Sequence, residues 1–322
     1  MKDPTINIEI PANALLEFTQ SELAEWDKCA FSWYLKYAHR LDLSGAYSIS
    51  LMIGDAVHRT LAEWYRTKKL SIAQVSFPEG VVETTEDSKK LEEAQVQINA
   101  MCMAYVEWYK DDLKSFKINE GSVEEVVEVG IAYKGVSITL KGTLDRIIGK
   151  KEQQIMDHKT CGLLNMAVKD AWQFKFQFLF YAWLVYNSPT FRQNAPAEFL
   201  VNAIKKTQLR QKQDESLAAF ENRIYRDMLA RPAEYFWREA MKFNANSMKR
   251  FERELLFPKL DRIVELHNNS MFLAINKNTD ACWNYNRPCA FLPICSGTFA
   301  ENVERYTQRK VKHSNYTPES YE

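Results

Sequence analysis

The chain carries no excess of either charge: 42 lysines and arginines balance 42 aspartates and glutamates. That removes the global basic signal of many nucleic-acid binders, so any surface of that kind has to be local. Also missing is an uncharged apolar run near the roughly 18 residues that span a bilayer. The opening "MKDPTINIEI" has no signal-peptide apolar region. No membrane partner is expected, and the protein reads as intracellular, cytoplasmic or nucleoid-associated. There is no GxxxxGK[ST] loop, so a helicase motor would have to be a separate partner. Internal repeats and low-complexity linkers are absent as well. What is present is a 322-residue chain, 46% hydrophobic and 26% charged, ordinary for a soluble globular protein.

"FTQSELAEWDKCAFSWYLKYAHRL" opens with Thr19 and Glu22 at capping-box spacing, which predicts a helix ending near Tyr37. Further helices fit "IGDAVHRTLAEWYRTKK" and "DSKKLEEAQVQINAMCMAYVEWYKDDL", with the Pro and Gly of "SFPEG" between them. From Val123 the chain turns rich in β-branched residues, alternates over "VSITL" and carries turn signals at "YKG" and "GKKE". About three antiparallel strands are predicted there. An aromatic helix "DAWQFKFQFLFYAWLVYN", a strand at "AEFLVNAIKK" and charged helices to about Asn268 follow. This order predicts an α/β or α+β fold around one central sheet. A single domain is expected, with a helical part over 15–118, a core over 119–206, a helical part over 207–308 and a polar tail over 309–322.

Strands avoid Asp and Lys, yet "GTLDRIIGKKEQQIMDHKT" places Asp145, Asp157 and Lys159 on adjacent predicted strands. Residues two apart in a strand face the same way, so Asp157 and Lys159 project together. The hairpin would return Asp145 beside them. Two neighbouring carboxylates repel and lose hydration, and a divalent cation such as Mg²⁺ relieves both costs. A lysine there can orient an attacking water or stabilise charge on a phosphorane-like transition state. The alternative is a solvated hairpin with a surface ion pair.

The spacing D, eleven residues, D-x-K, after "GTL", resembles the PD-(D/E)XK nuclease superfamily in its RecB-like branch. "GDAVHRTLAEW" looks like the G-x-x-x-H helix of that branch through Gly54 and His58. "QFLFY" resembles its Q-x-x-x-Y helix through Gln177 and Tyr181. The resemblance implies a restriction-endonuclease-like mixed sheet flanked by helices and a Mg²⁺- or Mn²⁺-dependent nuclease. It implies His58, Asp145, Asp157 and the His158 carbonyl as metal ligands, and Lys159 as the catalytic lysine. Gln177 and Tyr181 would hold DNA phosphate or the nucleophilic water, with Gln173 a further polar member of their helix face. Glu124, Glu125 or Glu128 would add a carboxylate, although exposure is the stronger expectation for them.

Cys282, Cys289 and Cys295 lie within "CWNYNRPCAFLPIC", far in sequence from Cys29. Such thiolates suit Zn²⁺ or an iron–sulfur centre, and chance clustering of buried thiols is the alternative. Members of the RecB-like branch carry a [4Fe–4S] cluster on one cysteine before the G-x-x-x-H helix and three after the core. These include AddB-type subunits and CRISPR-associated spacer-acquisition nucleases. "SELAEWDKCAFSWYLKY" resembles their N-terminal signature, with Trp26 for Tyr and Ala30 for Pro. Six residues separate Cys282 from Cys289 where the family has two. A cluster joining the N- and C-terminal helical segments would be structural, with Zn²⁺ the alternative. Cys102 and Cys161 are expected in the core and near the site. Lys205, Lys206, Arg210 and Lys212 of "IKKTQLRQK" are candidate phosphate contacts or a solvated loop. The expected activity is exonuclease action on single-stranded DNA or DNA ends in recombination, repair or replication, with a helicase or recombination protein as partner. Two rivals are an inactive DNA-binding scaffold of the same fold and a zinc-stabilised helical interaction protein.

Overall fold

The Thr19 hydroxyl accepts from the Glu22 N–H, and the Glu22 carboxylate accepts from the Thr19 N–H at 2.6 Å. This capping box starts helix α1 (Gln20–Lys28) directly after strand β1 (Glu17–Thr19). The computed structural model describes residues 17–45, 47–78, 81, 84–115, 122–148, 154–191, 198–269, 276–284, 287–297 and 299–308. The expected turn at "GKKE" and the polar tail lie outside them.

A single helix to Tyr37 is not formed. Cys29 is extended, with φ −166° and ψ 113°, and it separates α1 from α2 (Ala30–Trp33). A π-helical turn, Tyr34–Ala38, continues α2 before strand β2 (Leu41–Leu43). Helices α3 (Ile49–Thr67), α4 (Thr85–Trp108) and α5 (Asp112–Ser115) complete the helical part. Strands β3 (Ser122–Tyr133), β4 (Val136–Ile148) and β5 (Gln154–Cys161) fall where alternation and turn residues place them. The aromatic run splits into α6 (Met166–Trp172) and α7 (Phe176–Asn187), because Lys175 is extended and redirects the chain. Gln173 is thereby exposed at the break instead of sharing the Gln177 face.

Strand β6 (Glu198–Lys205) is followed by α8 (Leu217–Ala230), α9 (Pro232–Tyr235), β7 (Phe236–Lys242), α10 (Ala245–Phe251) and α11 (Phe257–Asn269). Strand β7 corrects the expectation of helices alone. Only Phe236 and Met241 of "FWREAMK" are buried, so its edge position leaves no alternation to read. The C-terminal part holds β8 (Trp283–Asn284), β9 (Arg287–Pro288), α12 (Leu292–Ser296), α13 (Phe299–Asn302) and β10 (Tyr306–Gln308). Strand β10 pairs antiparallel with β2.

The central sheet has the order β1-β4-β5-β6-β7, with β3 also on β4. It is mixed, since β1 runs parallel to β4 and β6 parallel to β5, while the other pairs are antiparallel. One face packs Ile138, Leu140, Ile155, Phe199 and Val201 against Phe178, Phe180 and Leu184 of α7 and against α10 and α11. The other packs Ile148, Met156, Leu200 and Ile204 against α3, α4 and α8. The result is the expected α/β layer arrangement, a mixed sheet covered by helices on both faces. Among the described residues no helix is long and apolar enough to cross a membrane.

Candidate active site

Strand β3 occupies one edge of β4, and two strands share the other edge. Residues 139–141 of β4 pair with β1, and residues 146–148 pair with β5. The stretch from Gly142 to Asp145 therefore faces a gap. The next rung after Arg146↔Met156 would set Asp145 opposite Asp157, but the strands part there. The His158 N–H donates to Asp145 Oδ2 at 2.6 Å in place of a ladder bond. On the far side of β4, Glu124 lies between the partners of Arg146 and Leu144 and adopts φ 54°, a conformation costly for a residue with a Cβ. Side-chain alternation slips at this point: Leu144 and Ile147 join one core layer, and Ile148 joins the other.

Asp157 is 2% exposed. Lys159 Nζ stands 2.6 Å from its Oδ2, a buried ion pair. His58 Nδ1 lies 3.2 Å from Asp145 Oδ2. Burial pushes the Asp157 carboxyl above the ordinary range against the pull of Lys159. Burial works the same way on Asp145, but the neighbouring His58, His158 and Lys159 outweigh it and hold that carboxyl low. Each acid is thus matched to a cation of the chain. As they stand, no three His, Cys, Asp or Glu side chains among the described residues form a ready metal cage.

Two glycines set this geometry. A Cβ at Gly54 would lie 3.1 Å from Thr160 Oγ1, so α3 rests on β5 one turn before His58. A Cβ at Gly142 would meet the Tyr181 ring at 2.8 Å and Leu184 at 3.0 Å. Tyr181 can cross β4 only because that position is bare. Gly142→Ala is expected to lower unfolding free energy by about 1–3 kcal/mol, the usual cost of overpacking, as measured by urea denaturation. Gln177 Nε2 donates to the Tyr181 hydroxyl at 3.5 Å, a long bond.

The His158 ring points to the opposite face, into a buried polar row that spacing alone does not disclose. His158, Asn202 and Arg238 are register partners on β5, β6 and β7. Arg238 Nε donates to Asn202 Oδ1 at 3.0 Å, which leaves the Asn202 amide to donate to Tyr105 OH at 2.5 Å and to His158 Nδ1 at 2.7 Å. The His158 proton consequently sits on Nε2, and burial holds this imidazole neutral, with its pKa down to about 3. Arg238 also grips both Asp112 oxygens, and Tyr65 OH donates to Asp112 Oδ2 at 2.9 Å. Arg146 lies over the Tyr65 ring at 4.1 Å. The one signal in the sequence is Asn202, a polar residue inside the apolar strand "FLVNAIK", which must be paired if buried.

The gap opens on a cleft of about 970 Å³ lined by His58, Asp145, Tyr181, Lys206 and residues of the Tyr34–Ala38 turn. Glu124 lines it while remaining exposed, and Glu128 is exposed as expected. Lys206 donates to Ser50 Oγ, Lys205 stands over the Tyr235 ring, and the Arg210 carbonyl accepts from Arg223. Cys102 is buried, and Cys161 is half-buried beside Thr160.

Cys29, Cys282, Cys289 and Cys295 are half-buried free thiols. They converge across the chain. The Asn278 N–H donates to Cys29 Sγ at 3.5 Å, the Cys282 thiol donates to the Asn278 carbonyl at 3.8 Å, and the Cys289 N–H donates to the Cys282 carbonyl at 2.8 Å. Burial pushes the Cys295 thiol up to about 11, and the other three cysteines push it the same way.

No curated protein matches the sequence at a significant level. Among solved structures, a Eubacterium rectale protein provisionally named an exonuclease is 12% identical, covering 92% of this chain and 99% of its own, with a TM-score of 0.48. The structure of SSO0001 is 12% identical over 90% of this chain and 98% of its own, with a TM-score of 0.31. Assignment rests on neither. The family model of the PD-(D/E)XK nuclease superfamily matches residues 17–296, a span that contains the parted strands, Asp145, Asp157, Lys159 and all four cysteines. With seven-eighths of the sequence inside that match, the chain belongs to the PD-(D/E)XK nuclease superfamily.

Proposed function

We propose that this single-domain chain is a divalent-metal-dependent deoxyribonuclease of the RecB-like branch, acting as an exonuclease on single-stranded DNA or DNA ends. The observation that carries this reading is the convergence of two carboxylates, buried Asp157 ion-paired to Lys159 at 2.6 Å and part-buried Asp145 beside His58 at 3.2 Å, at a strand gap open to a cleft. Two neighbouring carboxylates so placed lose hydration and repel each other, and a hard cation relieves both costs. Asp145, Asp157, His58 and the His158 carbonyl would hold Mg²⁺ or Mn²⁺, which would polarise the scissile phosphate. Lys159, released from Asp157, donates to the attacking water and opposes the charge growing on the phosphoryl oxygens. Tyr181, with Gln177 behind it, orients a phosphate oxygen. Lys206 and its basic neighbours meet the DNA backbone.

For Cys29, Cys282, Cys289 and Cys295 the reading is a [4Fe–4S] cluster, supported by their convergence, with Zn²⁺ as the alternative. Broad visible absorption with stoichiometric iron and sulfide is expected, whereas a colourless zinc protein would exclude the cluster.

The function is tested with end-labelled linear and circular DNA, single-stranded and duplex, in Mg²⁺ or Mn²⁺ and in chelator. Progressive shortening of linear single strands, resistance of circles and loss of cleavage in chelator are expected. Efficient cutting of circles would make the protein an endonuclease, and absence of cleavage in either metal would refute the reading.

A further inference from the structure

The aromatic run that feeds the core leaves one member out. Trp172, Phe178, Phe180 and Trp183 are buried, whereas Phe174 is 73% exposed and makes no ring contact among the described residues. The next residue, Lys175, is the only charged one from Ala171 to Phe191. The Phe174 N–H donates to the Ala171 carbonyl at 3.2 Å and the Lys175 N–H to the Trp172 carbonyl at 3.1 Å, so the break between α6 and α7 is a hydrogen-bonded turn. Lys175 Nζ stands 5.6 Å from the centre of the Phe178 ring, and Lys159 Nζ stands 5.7 Å from the same centre. Lys159 is matched by Asp157, but the Lys175 side chain has neither an ion pair nor a hydrogen bond among the described residues. Desolvation, then the Lys159 charge, lower its pKa, and Asp157 pulls the other way. An exposed ring forgoes the burial that its neighbours gain, and a second ammonium beside Lys159 adds repulsion, so folding accounts for neither side chain. Lys175, Phe178 and Tyr181 follow one another at intervals of three along one side of α7, and Tyr181 lines the cleft.

We infer that Phe174 and Lys175 form a subsite for a single DNA strand, in which the Lys175 ammonium holds the phosphate next to the scissile one and Phe174 stacks on an adjoining base. The inference rests on the nuclease reading and names how that site takes its substrate. Once Lys159 turns from Asp157 to the substrate, two ammonium groups share the Phe178 ring with no acid between them, and a phosphodiester is the anion that the reaction brings there. Tyr181 lies about 9 Å further along the α7 axis, which offsets Lys175 from the scissile phosphate toward a neighbouring one. An open aromatic face beside a cation suits an unpaired base on a flexible phosphodiester chain. Lys169 is taken by Glu239 at 2.6 Å, so Lys175 is the cation that this segment offers.

The test is fluorescence anisotropy of the full chain, in EDTA to silence cleavage, with a labelled oligothymidylate and an abasic oligomer of the same length across a salt series. Lys175→Gln is expected to weaken binding of both about tenfold and to lower the salt slope by about 0.7, the single-strand value for one phosphate. Lys175→Arg is expected to restore most of that affinity. Phe174→Ala should weaken oligothymidylate binding about fivefold or more with the slope unchanged, and leave the abasic oligomer at parental affinity, while Phe174→Trp restores the loss. In steady-state cleavage of oligothymidylate, Lys175→Gln should raise KM about tenfold with kcat little changed, the mark of a contact made equally in ground and transition states. A fall in kcat at parental KM would put Lys175 on the scissile phosphate and overturn the subsite. Parental affinity and slope in Lys175→Gln would overturn it too, as would a Phe174→Ala loss that is equal on the abasic oligomer. Because binding is read without turnover, a protein that grips DNA through these residues yet never cuts it would refute the nuclease reading and keep the subsite. Cleavage with parental affinity and KM in both variants would do the reverse.

Discussion

Asp157→Asn and Lys159→Ala are each expected to reduce DNA cleavage by about 10²–10³-fold or more, the scale on which removing one preorganised electrostatic contact slows a reaction. The two variants part company in stability. The Asp157 carboxyl is raised by burial, with Lys159 only partly offsetting it. Its folded form therefore binds a proton more tightly than its unfolded form, whose pKa is about 3.9. The associated stabilisation is complete below that unfolded value and is lost as pH rises from there through the folded value. In metal-free buffer at pH 7–8, Asp157→Asn abolishes this penalty, and its melting temperature is expected to exceed the parent's. Lys159→Ala leaves the acid buried without its ammonium, so its melting temperature should fall with pH more steeply. Parental cleavage rates in both variants would show that Asp157 and Lys159 are not the catalytic pair.

The second large effect concerns the far face of the same strands. Arg238→Ala is expected to destabilise the protein by about 3–5 kcal/mol, because Asp112, 7% exposed, then stays buried as an uncompensated charge. Tyr105 and Asn202 lose a donor in the same step. Urea unfolding measures the loss. Asp112→Asn combined with Arg238→Met, which removes both charges, should recover much of it, since a desolvated pair contributes less than its halves cost when separated. His158 lies at the end of this row and its backbone N–H donates to Asp145, so the single variant is also expected to slow cleavage.

How far these features can be read beforehand depends on the range of the contacts that make them. Asp157 and Lys159 share a face through strand alternation alone, and Asp145 comes near through one hairpin. Gly54 and His58 share a helix face one turn apart. All are local relations. The parting of β4 from β5 is not local, since it depends on β1, three residues long and more than a hundred residues upstream. Strand β7 escaped because an edge strand buries too little to alternate. Arg238 and Asp112 are 126 residues apart, and neither belongs to a motif. Glu124 and Arg40 could not be foreseen either, since a left-handed backbone at Glu or Arg leaves no mark in the sequence.

The pairing of β2 with β10 bears on the order in which the protein can be made. The segment that ends in Arg40 is bordered on one side by Cys29, which meets a cysteine group completed only at Cys295, and on the other by Leu41–Leu43, whose partner is Tyr306–Gln308. Tyr306 OH, bonded to the Ala290 carbonyl at 2.7 Å, ties those two late segments together. On the ribosome, where chains emerge N-terminus first, the central sheet can close once β7 is out. The cleft wall must wait for the segment from Cys282 to Gln308. A nascent chain stalled before residue 300 would thus hold Asp145, Asp157 and Lys159 assembled beside an unfinished wall.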